Sequence, residues 1–257
     1  MLCRDVINVI EKVYPVNYAV PGDNVGLLAG RDDKEVESIY VAVDATDEVI
    51  EDAVRAGADL LVTHHPLIYG SMRQVNNQDF IGRRLIRLIQ EDISYYAMHT
   101  NYDVLRMAAL AGERMRMRDP RVLEATGIHE QGLGRIGELE ETVSLRRCAA
   151  YVKEAFSLET VKVFGSPDRE VKRAAICPGS GKSVIGAALE KNADVLITGD
   201  IGHHEGIDAV AQGLCIIDGG HYGIEHIFIE DMKKYLEAHL DGTAVAGAPV
   251  KHPFTVV

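Results

Sequence analysis

The feature that most constrains this chain is that it repeats itself. Ala58-Asp59-Leu60-Leu61-Val62-Thr63 recurs as Ala193-Asp194-Val195-Leu196-Ile197-Thr198. With that offset kept, Ile50 falls on Ile185 and Gly57 on Asn192. Glycine and asparagine are the residues that best tolerate the left-handed stop at a helix end. Each half therefore reads as helix, stop, short apolar strand. Leu60, Leu61 and Val62 suit a strand buried in a parallel sheet. Residues 39–43 and 93–98 read as its neighbours, with helical patterns between them. Strand and helix alternate, which predicts an α/β fold of two similar lobes with mainly parallel sheets. The first lobe is expected at 1–124 and the second at 125–257, with a C-terminal helix over 225–240 packing near the first.

Finer signals fill in this frame. Residues 4–14 carry Val6, Ile7, Val9, Ile10 and Val13 at helical spacing, and Pro15 ends the pattern. Thr46 is an N-cap, with Asp47 and Glu48 suited to the first turn. The next helix places Phe80, Ile81, Leu85, Ile86 and Ile89 on one face. A basic helical segment spans 104–117. Beyond it, Gly132, Gly134 and Gly137 interrupt a strand region, 148–156 reads as a helix, and 161–164 and 173–177 read as strands. Pro178-Gly179-Ser180-Gly181-Lys182-Ser183 resembles a phosphate loop, but Ile176 stands where its first glycine belongs. A tight turn is the plainer reading, with backbone N–H groups presented to an anion as the alternative.

Composition excludes several classes. A formal net charge of -12 argues against a polynucleotide as the ordinary partner, although a local basic groove stays open. No apolar run is long enough to span a bilayer, and Arg4 and Asp5 interrupt the start of any leader peptide. Cys3, Cys148, Cys177 and Cys215 form no C-x-x-C pair, so they read as reduced thiols of a cytoplasmic protein.

The chemistry gathers where strands end. Thr63 runs into His64-His65-Pro66, and proline stops the strand. Residues 93–98 run into His99, with Asp103 four positions on. In the second half 214–218 precedes His221, with Glu225 four positions on, and His203-His204 follows the strand ending near Thr198. Ligands of open α/β sheets bind at such carboxyl ends. Two lobes facing each other would join these ends, and histidines with carboxylates suit a binuclear transition-metal site. The structural alternative is that duplicated folds keep similar strand ends.

The motifs together resemble a known family, the NGG-one-interacting factor three family, also called GTP cyclohydrolase 1 type 2-like dinuclear metal-centre hexameric proteins. The resemblance runs along nearly the whole chain. It is carried by Asp23-Asn24-Val25-Gly26-Leu27, Thr63-His64-His65-Pro66-Leu67, His99-Thr100-Asn101 with Asp103, Gly134-Arg135-Ile136-Gly137, Thr198-Gly199-Asp200 with His203-His204, and Gly220-His221 with Glu225. It implies two divalent ions per subunit, iron, zinc or manganese, held by His64, His65, Asp103, His221 and Glu225. Glu225 would bridge them. It also implies a metal site between the lobes and a toroidal homohexamer built from trimers. His99 and His204 are expected in catalytic roles beside the metals, and His129, His239 and His252 at the surface. Ile224 departs from the threonine usual in the family.

The function expected from this resemblance is hydrolysis by metal-activated water, acting on a nucleotide or related small molecule. The alternative is a ring-shaped metal-binding protein that contacts a partner protein or single-stranded nucleic acid through residues such as Arg114, Arg116, Arg118 and Arg121. A third possibility is metal storage or insertion.

Overall fold

The computed structural model describes residues 1–127 and 131–257. His129 lies outside the described residues. The strands in chain order are β1 (Gly26–Ala29), β2 (Ser38–Ala42), β3 (Leu60–Thr63), β4 (Ser94–Ala97), β5 (Arg118–Ala125), β6 (Gly132–Ser144), β7 (Lys162–Phe164), β8 (Glu170–Ser180), β9 (Val195–Gly199), β10 (Cys215–Asp218) and β11 (Ala244–Gly247). The fold is mixed α/β with two sheets. The chain divides into two compact units, one of residues 1–102 and 228–251, the other of 103–227 and 252–257. Among the described residues no helix is long and apolar enough to cross a membrane.

The sheet of the first unit runs β1-β4-β3-β2-β11. Strands β4, β3, β2 and β11 are parallel, and β1 joins β4 antiparallel. Helices Cys3–Glu11, Asp47–Arg55 and Phe80–Gln90 belong to this unit, as does helix Ile227–His239 from Phe228 on. Thr46 caps the second of these as expected, its side chain accepting from Val49 N at 3.2 Å. Gly57 takes the left-handed conformation, φ +63°. The last helix is tied in by Tyr235, whose hydroxyl donates to Val9 O at 2.7 Å, and by Asp231, which accepts from Tyr102 at 2.7 Å.

The sheet of the second unit runs β5-β6-β8-β9-β10-β7. Its centre, β8-β9-β10, is parallel, while β5, β6 and β7 pair antiparallel. Leu123, Ile136, Ala175, Val184, Leu196 and Ile216 are among its buried core.

The repeat holds down to single hydrogen bonds. Asp59 accepts from Glu37 N and Ser38 N at 2.8 and 3.1 Å. Asp194 accepts from Lys172 N and Arg173 N, both at 2.8 Å. In each unit one aspartate thus pins the neighbouring strand just ahead of its parallel pairing, which begins at Ile39 and at Ala174. Asn192 matches Gly57, with φ +55°.

Several expectations change. The buried stripe of helix Phe80–Gln90 is Leu85 and Leu88, while Phe80 and Ile89 are 52% and 57% exposed. The periodicity allowed either neighbouring stripe, and the sheet took the one through Leu88. Segment 104–117 is not one α-helix. It opens within a π-helical turn, Asp103–Met107, which precedes helix Ala108–Arg114. Edge strands β5 and β11 escaped the sequence reading. β5 carries Pro120 and has one fully buried apolar residue, Leu123, so it lacks a strand's alternation. The stretch after residue 177 continues as strand to Ser180 and then enters the short helix Gly181–Val184.

Candidate functional site

In the first unit the site grows out of β3. The ladder continues past its end, with His64 N donating to Ala42 O and His65 N to Val43 O at 3.2 and 2.8 Å. Buried Thr63 and Tyr95 hydroxyls donate to His65 O at 2.8 and 3.0 Å, and Leu67 N donates to Tyr95 at 2.7 Å. The two imidazoles therefore stand on a pinned turn. His64 is fully buried and His65 nearly so. His99 follows β4, and the ligand-capable atoms of His64, His65 and His99 lie within 4.8 Å of one another.

Each ring is oriented from behind. His64 Nδ1 lies 3.0 Å from Met98 O, His65 Nδ1 2.7 Å from Asp44 Oδ1, and His99 Nδ1 2.9 Å from Asp23 Oδ1. A carbonyl or carboxylate oxygen can only accept, so Nδ1 donates in all three. In a neutral ring the lone pair is then on Nε2, the arrangement typical of metal-ligating histidines.

In the second unit the site grows out of β10. Asp218, fully buried at its end, accepts from Ile201 N at 3.1 Å and Gly220 N at 2.8 Å, and pairs with Lys162 Nζ at 2.6 Å. This shapes the loop that launches helix His221–Glu225. A spacing of four puts His221 and Glu225 on one face, with His221 Nε2 3.1 Å from Glu225 Oε2. His221 Nδ1 donates to Asp200 Oδ2 at 2.8 Å. Asp103, which opens the π-helical turn, has a carboxylate oxygen within 4.8 Å of one on Glu225. Such turns recur at functional sites because the extra residue re-aims a side chain.

This donor set fits a cation. With Nδ1–H committed to Asp200, the neutral His221 ring turns a lone pair toward a buried carboxylate. Two electron-pair donors at 3.1 Å repel unless a positive charge, proton or metal, lies between them. Histidine nitrogen with carboxylate oxygen suits zinc, iron or manganese. Cys177, also buried, belongs to no metal-capable cluster among the described residues, and burial, followed by the charges of Asp103 and Glu225, raises its pKa. All four cysteines are free and buried.

Gly179 is part of this half. Its φ is +76°, and a Cβ there would run into Glu225 Oε1. Gly179→Ala is expected to displace Glu225, weakening metal binding about 10–100-fold as loss of a supporting residue does. Titration with a chelator-buffered metal series checks it.

Asp23 gives a second prediction. Burial works to raise its pKa, but hydrogen bonds from His99 and Thr100 outweigh it and hold the carboxyl at about 2. Its stabilisation is present above the ordinary carboxylate pKa and disappears as pH falls through about 2. Asp23→Asn should therefore cost about 2 kcal/mol at neutral pH. The gap from wild type should close below pH ~2. Urea midpoints across pH measure both.

The five expected ligands thus appear as His64 and His65 in one unit and Asp103, His221 and Glu225 in the other. His99 joins the first cluster. His204 stands exposed at the start of helix His203–Ala211, its ring 5.1 Å from that of His203, and belongs to no metal-capable cluster among the described residues. His239 and His252 are exposed. Sequence reasoning gave no role to Asp23, Asp44 and Asp200. Asp23 and Asp200 lay inside quoted motifs, and Asp44 directly follows the apolar run of β2.

A family model described as Duf34/NIF3 (NGG1p interacting factor 3) matches residues 1–252. The chain belongs to the Duf34/NIF3 family. A GTP cyclohydrolase 1 type 2 homolog of Clostridium perfringens is 31% identical to this Duf34/NIF3 protein over 262 residues, covering 100% of both chains. One from Lactococcus lactis is 35% identical over 234 residues, covering 89% of each. The solved Bacillus cereus protein related to NIF3 shares the fold, with a TM-score of 0.93 at 23% identity over 100% of this chain and 99% of that one.

Proposed function

We propose that this Duf34/NIF3 protein is a dinuclear metal-dependent hydrolase, GTP cyclohydrolase 1 type 2-like, acting on a nucleotide or related small molecule. His64, His65, Asp103, His221 and Glu225 would hold two divalent ions, iron, zinc or manganese, with Glu225 shared between them. The observation that carries this reading is that four imidazoles, His64, His65, His99 and His221, each have Nδ1 committed to an acceptor. Bound ions would activate water and stabilise the negative charge that develops on the substrate. His99, held by Asp23, presents Nε2 to take a proton from the attacking water or return one to the leaving group. His204 is the second candidate for moving a proton. The nucleotide substrate rests on the names of the relatives, a homohexamer on the family resemblance, and the cytoplasm on four cysteines that form no C-x-x-C pair.

Elemental analysis should find about two ions per chain, and the metal-loaded chain should hydrolyse a nucleotide in a screen. His99→Ala should retain its metal while losing about 10²–10⁴-fold in turnover. Absence of metal after reconstitution under reducing conditions would overturn the proposal. The interaction reading has less support, because Arg114 and Arg116 share a cavity of about 350 Å³ with Glu140, Glu141 and Glu154 rather than lining a uniformly basic wall.

A further inference from the structure

A second cavity lies in the first unit beside His65 and Asp44. Its volume is about 160 Å³, and its walls include Asp44, Pro66, Leu67, Tyr69, Phe80 and Arg84. We propose that this cavity seats one flat heteroaromatic ring, a purine base or a ring of that kind, against Tyr69 and Phe80, with Arg84 at the ring's edge. The proposal rests on the metal-centre reading only in assigning that ring to the substrate of the centre.

Size comes first. An engineered apolar cavity of about 150 Å³ accepts benzene, whereas pockets that enclose a drug-sized ligand run to about 300–1,000 Å³. This cavity therefore takes a ring and leaves the rest of the molecule outside. Its floor is apolar, with Pro66 and Leu67 buried. Among the described residues three aromatic side chains are strongly exposed, Tyr69 at 63%, Phe80 at 52% and Phe254 at 61%. Two of the three border this one cavity. Phe80 stands there because its helix buries Leu85 and Leu88 instead. A stacked base gains about 1–3 kcal/mol from an aromatic face, so these rings have a use in that position.

Polarity decides which part of a ligand enters. Asp44 lines the cavity with its side chain 43% exposed, and the lining guanidinium, Arg84, is already paired with Asp47. A phosphate would meet the Asp44 carboxylate and a guanidinium already neutralised by Asp47, so the ring enters and the phosphate stays out. Arg84 is already aligned. Its Nε donates to Asp47 Oδ1 at 2.9 Å, its Nη2 lies 3.4 Å from Asp47 Oδ2, and its guanidinium carbon sits 5.0 Å from the Phe80 ring centroid. A guanidinium has five N–H donors. Asp47 engages two, and the remaining donors suit adjacent acceptors on a purine edge, as arginine pairs with O6 and N7 of guanine. The cavity also borders the histidine cluster. His65 lines it, and the Tyr69 ring stands edge-on to His99 with centroids 6.2 Å apart.

The test is saturation-transfer NMR on the full chain, metal-loaded and chelator-treated, with GMP and ribose phosphate as probes. Saturation should reach the H8 proton of GMP, and ribose phosphate should bind at least tenfold more weakly, by about the worth of one stacked base. Tyr69→Ala and Phe80→Ala should each weaken GMP about tenfold with metal content unchanged. Phe80→Tyr should restore binding. Arg84→Met should weaken GMP more than a purine nucleotide lacking O6. Equal binding of ribose phosphate and GMP, or wild-type affinity in both alanine variants, would overturn the ring seat. Two ions per chain without ring contact sinks this subsite and leaves the metal centre standing. Ring contact in a chain that takes up no metal does the reverse.

Discussion

Glu225→Gln is expected to reduce bound metal from about two ions per chain to less than one, and to lower turnover of the metal-loaded protein about 10³-fold. Glu225 is 2% exposed and sits between His221 and Asp103 within its own unit. The proposed centre needs its full negative charge, because a buried carboxylate shared between two cations offsets their mutual repulsion. Glutamine keeps the volume and removes the charge. It also supplies an N–H, which can donate to the Nε2 lone pair of His221 and relieve the facing donors at 3.1 Å. The metal-free variant should therefore melt no lower than the metal-free wild type. Elemental analysis beside calorimetry reads both effects. Unchanged metal content would remove Glu225 from the ligand set, and a large drop in metal-free stability would show that its charge serves the fold.

Leu88→Ala should lower stability by about 2–5 kcal/mol, whereas Ile89→Ala should stay within about 0.5 kcal/mol of wild type. Leu88 is fully buried and Ile89 is 57% exposed. Truncating Leu88 removes transfer free energy and leaves a cavity that the neighbouring Leu85 only partly fills. It also loosens the turn in which Ile93 N donates to Leu88 O at 2.9 Å, just ahead of β4 and His99. Urea midpoints of the two variants separate the cases. Equal costs would mean that the helix buries the Ile89 stripe after all.

The two stripes of this helix show where a sequence stops being informative. Phe80, Ile81, Leu85, Ile86, Leu88 and Ile89 cover more than half its circumference with apolar residues, so periodicity alone names two overlapping faces. Which one is buried depends on where the sheet lies. Edge strands posed the same difficulty. Among the described residues β11 pairs only with β2, and its own residues are exposed or half-buried, so it has no buried face for alternation to report. Central strands posed none, since β3 and β9 are buried along their whole length.

The site divides along the same line. The repeat, the strand ends and the donor types at them are local properties of the chain, written in apolar runs, stop residues and histidines. They placed His64, His65, His99 and His221 at strand ends, the last two each with a carboxylate four positions on, Asp103 and Glu225. The orienting carboxylates are not local. Asp23 is 76 residues from His99, Asp44 is 21 from His65, and Asp200 is 21 from His221. Asp44 reaches His65 because β2 and β3 run parallel with Ala42 opposite Thr63. Asp200 reaches His221 from the end of the strand parallel to β10. A hydrogen bond between residues so far apart depends on register and on the path of the loops, and only packing fixes these. Which donor atoms the chain carries to its strand ends is thus a local property of the residues, and packing selects which nitrogen of each ring is left to bind.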